Sequence, residues 1–197
     1  MPAGMKFNFN PERQIAPEAA RFDTCYRMTG GFNLDITNLP KGEFVPSLAP
    51  IEVDFSTRKA YVVKNIKVVE AAISGATSLK IAKGSFVAVG DKYMVGSALS
   101  TVSAIDKTNE NYDVLTVSAL SANVALGTVL QEGKLNASEE AVAVHTANFL
   151  NYAYVKVEDG ATVTAIGRIF EIDRNKLVVP ISNADKAALG DRFLFLN

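Results

Sequence analysis

The chain has 197 residues, of which 48% are hydrophobic, and its 20 Lys and Arg residues nearly balance its 21 Asp and Glu residues. This length and composition suit one large or two small domains with a buried core. The net charge of -1 argues against non-specific binding to nucleic acid, which needs a surplus of cations. The only cysteine, Cys25, excludes an intrachain disulfide, and no apolar run approaches the roughly 20 residues of a membrane span. The N-terminus lacks the apolar core of a secretory signal, so we expect a protein made in the cytoplasm that does not span a membrane.

Residues 1–58 are predicted to form an extended arm. Six of the seven prolines lie there, and proline discourages continuous helix and central strand because it removes a backbone donor. Disordered tails are poor in aromatic residues, whereas this segment has six phenylalanines. We therefore expect its aromatic side chains to dock on the same chain, on a second copy or on a larger assembly. The prolines are Pro2, Pro11, Pro17, Pro40, Pro46 and Pro50, and the phenylalanines are Phe7, Phe9, Phe22, Phe32, Phe44 and Phe55.

Residues 59–135 are predicted to form a small β-barrel module. Short β-branched runs, such as 60–69, 102–105 and 114–117, alternate with clusters of Gly, Asp and Asn. Turns recur about every ten residues, which is the spacing of short antiparallel strands in an all-β unit.

Residues 136–197 are predicted to form a second β-rich module with a short C-terminal helix. Ser182 and Asp185 resemble a capping box with Asp in place of Glu or Gln, and Gly190 suits a C-terminal cap. A helix is therefore predicted over 182–189, before a final apolar strand. The fold class that follows is mainly β, with small antiparallel β-barrel or sandwich modules, an extended N-terminal arm and one or two short helices.

Local sequence patterns also predict one further element over 137–150, one turn and a set of buried side chains. Residues 137–150 fit a helix, and the alternating run that begins at Val142 leaves a strand as the alternative. Asp159 and Gly160 predict the turn of a tight hairpin. The side chains predicted to be largely buried are Val102, Ile105, Val114, Leu115, Val117, Val129, Ile169, Ile181, Leu194 and Leu196.

Residue types that carry chemistry are scarce. His145 is the only histidine, which excludes a histidine metal cluster within one chain, and no nucleophile motif or local base accompanies it or Cys25. Asp106, Glu110 and Asp113 form an acidic loop whose alternatives are a calcium site and a solvated hairpin loop; the missing Asp/Asn alternation favours the loop. We therefore assign no catalytic, cofactor-binding or metal-ligating residue, expect no cofactor, and predict that the protein is not an enzyme.

The central block resembles the head-fibre and capsid-decoration proteins of tailed bacteriophages and prophages. The residues that carry the resemblance are 76–91, 102–117 and 125–130. Residues 163–195, with an Ala-rich helix before a final apolar strand, look like the C-terminal module of the same proteins. The likeness covers roughly residues 60–197, and residues 1–59 fall outside it.

This resemblance implies a non-enzymatic virion component on the capsid surface, made in the bacterial cytoplasm. Its expected partners are the major capsid protein, further copies of itself and a host-surface glycan, with no nucleic acid and no membrane. The alternative is a carbohydrate-binding or adhesive β-module, and a carboxylate-dependent hydrolase is the third reading. Sugar-stacking aromatic residues would then come from the tyrosines, because the chain has no tryptophan; the candidates are Tyr61, Tyr93, Tyr112 and Tyr152.

Overall fold

The structure is a computed structural model that describes residues 19–196. These residues form eighteen β-strands, one α-helix and two 3-10 helices, so the mainly β class predicted from the sequence is confirmed. The strands of the first half are β1 Arg21–Arg27, β2 Phe32–Leu34, β3 Phe44–Val45, β4 Pro50–Asp54, β5 Lys59–Val62, β6 Ile66–Lys67, β7 Ser78–Ala82, β8 Lys92–Val95 and β9 Ala98–Asp106. Those of the second half are β10 Tyr112–Val117, β11 Val129–Leu130, β12 Gly133–Leu135, β13 Ala141–Ala143, β14 Phe149–Asn151, β15 Val155–Lys156, β16 Thr162–Val163, β17 Ala165–Ile172 and β18 Phe193–Phe195. The helix α1 spans Asn183–Leu189, and the 3-10 helices span Arg174–Lys176 and Gly190–Arg192.

An eight-stranded sheet, here called the main sheet, forms the largest part of the fold. Its order is β1-β17-β14-β4-β5-β2-β16, and β18 lies parallel beside β17. Both faces are covered. One carries a core around Phe32 and Ile51, and the other carries a core around Leu150 and Ile169 that α1 covers through Leu189.

The segment predicted as an extended arm takes part in strand pairing over its described residues, 19–58. Its strands β1, β2, β3 and β4 pair with β17, β16, β15 and β14 respectively. The prolines are accommodated because Pro50 is the first residue of β4, while Pro40 and Pro46 lie between strands. Phe32 is buried in the core of the main sheet. This part of the chain is therefore a constituent of the fold rather than an arm that lies on it.

Strand pairing also crosses both predicted domain boundaries. The β4–β5 hairpin joins residues on either side of position 58, and the β12–β13 pair does so at position 135. Residues 1–18, which hold the first three prolines with Phe7 and Phe9, lie outside the described residues.

Residues 66–130 build a curled β unit, here called the barrel unit. Its four-stranded sheet has the order β7-β10-β9-β8, and the bridges Val68–Ile81 and Tyr93–Glu132 continue the pairing beyond both outer strands. The sheet encloses a separate core in which Ile81 and Leu115 are fully buried. The β-barrel character predicted for this region is thus confirmed.

The predicted C-terminal helix is confirmed as α1. Ser182 caps its start, since the Ser182 Oγ accepts from the Asp185 N–H, and Gly190 caps its end. The Asp185 carboxylate also accepts hydrogen bonds from residues outside the helix. It accepts from Asn65 Nδ2 at 2.7 Å and from the Ala147 N–H at 2.9 Å, in addition to the Ser182 Oγ at 2.6 Å. One buried side chain therefore joins the start of α1 to two segments that are distant in the sequence.

Three predictions from local pattern are wrong. Residues 137–150 hold strands β13 and β14 instead of a helix, because β14 is buried between β17 and β4. The predicted turn at Asp159 and Gly160 is present, since the Ala161 N–H donates to Glu158 O, but it closes no tight hairpin, because β15 pairs with β3 and β16 pairs with β2. Leu194 and Leu196 are exposed, because the alternation of the strand turns Phe193 and Phe195 to the core.

The other predicted core positions differ in the depth of their burial. Ile105, Val114 and Val129 are half-buried. The fully or almost fully buried members of the predicted set are Val102, Leu115, Val117, Ile169 and Ile181.

We expect the substitution Asp185→Asn to destabilise the fold strongly. In either orientation the amide NH2 faces a buried donor, which is the Ala147 N–H in one case and the Asn65 and Ser182 donors in the other. Each buried donor left unsatisfied costs roughly 1–3 kcal/mol, so the expected loss is in that range. Urea unfolding of the full chain measures it.

The matched control is Asp159→Asn, a carboxylate whose side chain is 83% exposed. Its expected effect is within about 0.5 kcal/mol. Equal unfolding midpoints for the two variants would contradict the role assigned to Asp185.

Candidate functional site

His145 packs against the main sheet just before β14. Its Nδ1 lies 2.9 Å from Glu52 Oε2, and its ring stacks on Tyr61 with centroids 4.5 Å apart and planes 12° apart. Glu52 and Tyr61 are cross-strand partners on β4 and β5, so adjacent strands hold both contacts. The Thr146 N–H donates to the same Glu52 oxygen at 3.2 Å. These contacts orient the histidine within the fold.

A charge cluster of Lys64, Asp91 and Glu132 lies where the main sheet meets the barrel unit. The Lys64 side chain is 3% exposed, and its ammonium lies 2.9 Å from Asp91 Oδ1 and 3.0 Å from Glu132 Oε1. Burial raises the pKa of the Glu132 carboxyl, and the Lys64 ammonium opposes that effect. Burial also raises the pKa of the nearby Tyr93 hydroxyl, and the Asp91 and Glu132 carboxylates add to that shift.

The space beside this charge cluster is small. Tyr61, Lys64, Glu132 and His145 border a cavity of about 30 Å³, enough for ordered water and far too small for a substrate. The two carboxylates share the single Lys64 ammonium, so each has an ion-pair partner, although the cluster carries one negative charge in excess when both are ionised. We interpret it as an electrostatic link between the barrel unit and the main sheet.

Cys25 is half-buried in β1. Burial raises the pKa of its thiol, with Arg27 acting in the opposite direction. A reactive thiolate needs a lowered pKa, so this environment favours the neutral thiol.

The acidic loop residues do not converge on one point. Asp113 is buried and pairs with Lys83 Nζ at 2.6 Å, whereas Asp106 and Glu110 are exposed. Hydrogen bonding from Thr108 lowers the pKa of Asp106, as expected of a turn. Within residues 19–196, no group of three or more His, Cys, Asp or Glu side chains is placed to hold a metal ion.

A concave cleft of about 740 Å³ lies between loop residues 37–46 and 83–91. The second loop is anchored because Phe86 reaches from the barrel unit into the core of the main sheet. Polar and aromatic side chains line the cleft together, among them Asn38, Glu43, Phe44, Ser85, Lys107 and Tyr154. Its volume lies in the range of roughly 300–1,000 Å³ that small-ligand sites occupy.

The tyrosines considered for sugar stacking lie outside this cleft. Tyr61 stacks on His145, Tyr93 is buried in the barrel unit, Tyr112 lies under Lys80, and Tyr152 lies under Arg27. The tyrosine that lines the cleft is Tyr154, which sequence reasoning missed. The sequence signal that could have identified Tyr154 is its position two residues after Tyr152 in an alternating run, which favours the same face of an extended segment for both rings.

Large apolar side chains are exposed in both units. In the barrel unit, Ile73 and Leu126 are 75% and 68% exposed and flank the bridge between Ala72 and Val124. Beside the main sheet, Leu194 and Leu196 are 52% and 50% exposed at the C-terminal strand β18.

No family model, curated protein or solved structure matches this chain. Among residues 19–196 there is no helix with the length and apolar character to cross a bilayer.

We expect the stability of the wild type relative to Glu132→Gln to fall as pH rises. Burial holds the pKa of Glu132 above its ordinary value of 4.5, so the folded chain retains a proton that the unfolded chain releases. The stability that this group contributes is present below pH 4.5 and is lost as pH rises through the raised pKa. Glutamine does not titrate, so the variant lacks this loss.

Urea unfolding between about pH 4 and pH 7, which brackets carboxyl titration, gives the two curves. The absolute stability of the variant is also lowered by the lost Lys64 ion pair, so the slope is the informative quantity. Glu158→Gln, an exposed carboxylate, is the control and should parallel the wild type because solvent screens its charge. Parallel curves for Glu132→Gln would contradict the raised pKa.

Proposed function

We propose that the chain is a non-enzymatic structural protein of a phage virion, a head fibre or capsid decoration. It binds the major capsid protein, associates with further copies of itself and is exposed on the capsid surface after synthesis in the bacterial cytoplasm.

The observation that carries this proposal is the presence of exposed apolar side chains in two different units. A decoration protein needs one contact with the capsid and another with its own copies. Leu194 of β18 and Leu196 just after it are two residues apart on an extended segment, so their exposed side chains share one face. Ile73 and Leu126, on either side of the bridge between Ala72 and Val124, are exposed apolar side chains of the barrel unit. We assign one of the two contacts to each of these regions.

The resemblance noted from the sequence gives independent support. The residues that resemble head-fibre proteins in the central block build β7, β9, β10 and β11 of the barrel unit. The C-terminal likeness spans β17, α1 and β18. Both likenesses therefore coincide with structural units and include Leu126 and Leu194.

We expect the purified full chain to co-sediment with capsids of the phage that encodes it. Leu126→Lys should weaken this binding roughly tenfold, about 1.4 kcal/mol, because a cation replaces an apolar contact. Leu135→Lys, at another exposed leucine in β12, is the matched control and should bind as the wild type does.

Mass spectrometry of purified virions tests the proposal directly. Absence of the chain from the particles, together with no co-sedimentation, would overturn it.

A second candidate function is carbohydrate binding in the 740 Å³ cleft, which the placement of Tyr154 and Phe44 among polar side chains favours. We expect Tyr154→Ala to abolish any signal on a glycan array, because sugar faces stack on aromatic rings. Tyr112→Ala is the control, since Tyr112 lies outside the cleft. A glycan signal that survives Tyr154→Ala would exclude the cleft as its site.

A further inference from the structure

A groove of about 640 Å³ lies between α1 and β18 and is here called the C-terminal groove. Its apolar lining comes from Phe170, Phe193, Leu194 and Phe195. Lys186 on the helix and Asp191 after it add one charge of each sign to the same lining.

The strand beside this groove has an unpaired edge. Among the described strands β18 pairs only with β17, so its other side has no strand partner. The Phe193 N–H donates to Gly190 O within the chain, which leaves the Phe193 C=O and the backbone groups of Phe195 for a further strand. Its sequence Phe193–Phe195 is wholly apolar, and the following Leu196 is exposed. The Arg192 guanidinium lies over the rings of Phe149 and Phe193 and donates to Asn148 O at 3.0 Å, so this charge is held by contacts within the chain.

The other outer strand next to β17 is built differently. Strand β1 carries Arg21, Asp23 and Arg27, and two register shifts interrupt its pairing with β17. Charges and bulges are the usual protection of an edge against association. The contrast shows that β18 lacks protection that β1 has.

The two charges of the groove have no ion-pair partner in the described part of the chain. Lys186 Nζ lies 5.8 Å from the ring centroid of Phe195, and Asp191 forms no salt bridge within residues 19–196. A surface with one free cation and one free anion is complementary to itself under a two-fold rotation, because each charge can meet its opposite on the second copy.

We propose that β18 and the C-terminal groove form an isologous interface with a second copy of this chain. Strand β18 pairs antiparallel with the β18 of the other copy, with Leu194 of each copy at the centre. Lys186 of each copy pairs with Asp191 of the other. The proposal rests on the self-association included in the proposed function and names the surface that carries it.

Sedimentation equilibrium of the full chain over a range of concentrations tests the interface. We expect a reversible dimer whose dissociation constant rises at least roughly tenfold in Leu194→Lys, because the cation would be buried at the centre of the contact. Leu135→Lys, an exposed leucine outside the groove, is the matched control and should dimerise as the wild type does.

A charge-reversal cycle distinguishes the interface from loss of fold. Lys186→Glu alone and Asp191→Lys alone should each weaken dimerisation, and the double variant should recover it. Recovery in the double variant supports direct pairing across the two-fold axis, since a damaged fold would worsen with a second substitution.

Several results would overturn the proposal. One is a wild type that remains monomeric at every concentration, and another is dimerisation that Leu194→Lys and both single charge reversals leave unchanged. If the Leu194→Lys variant loses capsid binding but still dimerises, the groove belongs to the capsid contact and the second-copy assignment falls. If the chain is monomeric but co-sediments with capsids, only this inference is overturned. If the chain forms a dimer through β18 but is absent from virions, only the proposed function is overturned.

Discussion

The buried Asp185 carboxylate is the interaction on which the arrangement of the C-terminal half depends. Its oxygens accept from Ser182 in the helix cap, from Ala147 before β14 and from Asn65, which is 120 positions away in the chain. A buried carboxylate is tolerated only where hydrogen-bond donors replace its lost water. The requirement to bring all three donors to one point therefore selects a single placement of α1 against the main sheet.

The neighbouring residue extends this constraint to the barrel unit. Lys64 forms ion pairs with Asp91 and Glu132 at the edge of the barrel unit, whereas Asn65 binds Asp185 beneath the main sheet. Lys64 and Asn65 are consecutive residues in the short connection between β5 and β6, and together they link the barrel unit to the main sheet and α1. Because Lys64 is almost fully buried, moving it away from both carboxylates would leave its charge uncompensated, so the link tolerates little displacement.

Local signals in the sequence were enough to predict the strands of the barrel unit and the capping box of α1, because alternation and capping operate within a few residues. The pairing of β1–β4 with C-terminal strands was not predictable, because no local pattern specifies a partner more than a hundred residues away. The helix expected over 137–150 failed for the same reason: burial of β14 between β17 and β4 outweighs local preference. His145 and Glu52, 93 positions apart, meet only through that pairing.

The same long-range contacts determine how well β18 is prepared to bind. Asp185 fixes α1, the 3-10 helix Gly190–Arg192 follows directly, and β18 then pairs with β17 while Phe193 and Phe195 enter the core. Ordering a segment upon association costs free energy that a segment already held in place does not require. The outward-facing Leu194 is therefore presented from a backbone fixed on its other side. In this way the buried carboxylate that organises the fold also lowers the cost of using its exposed edge.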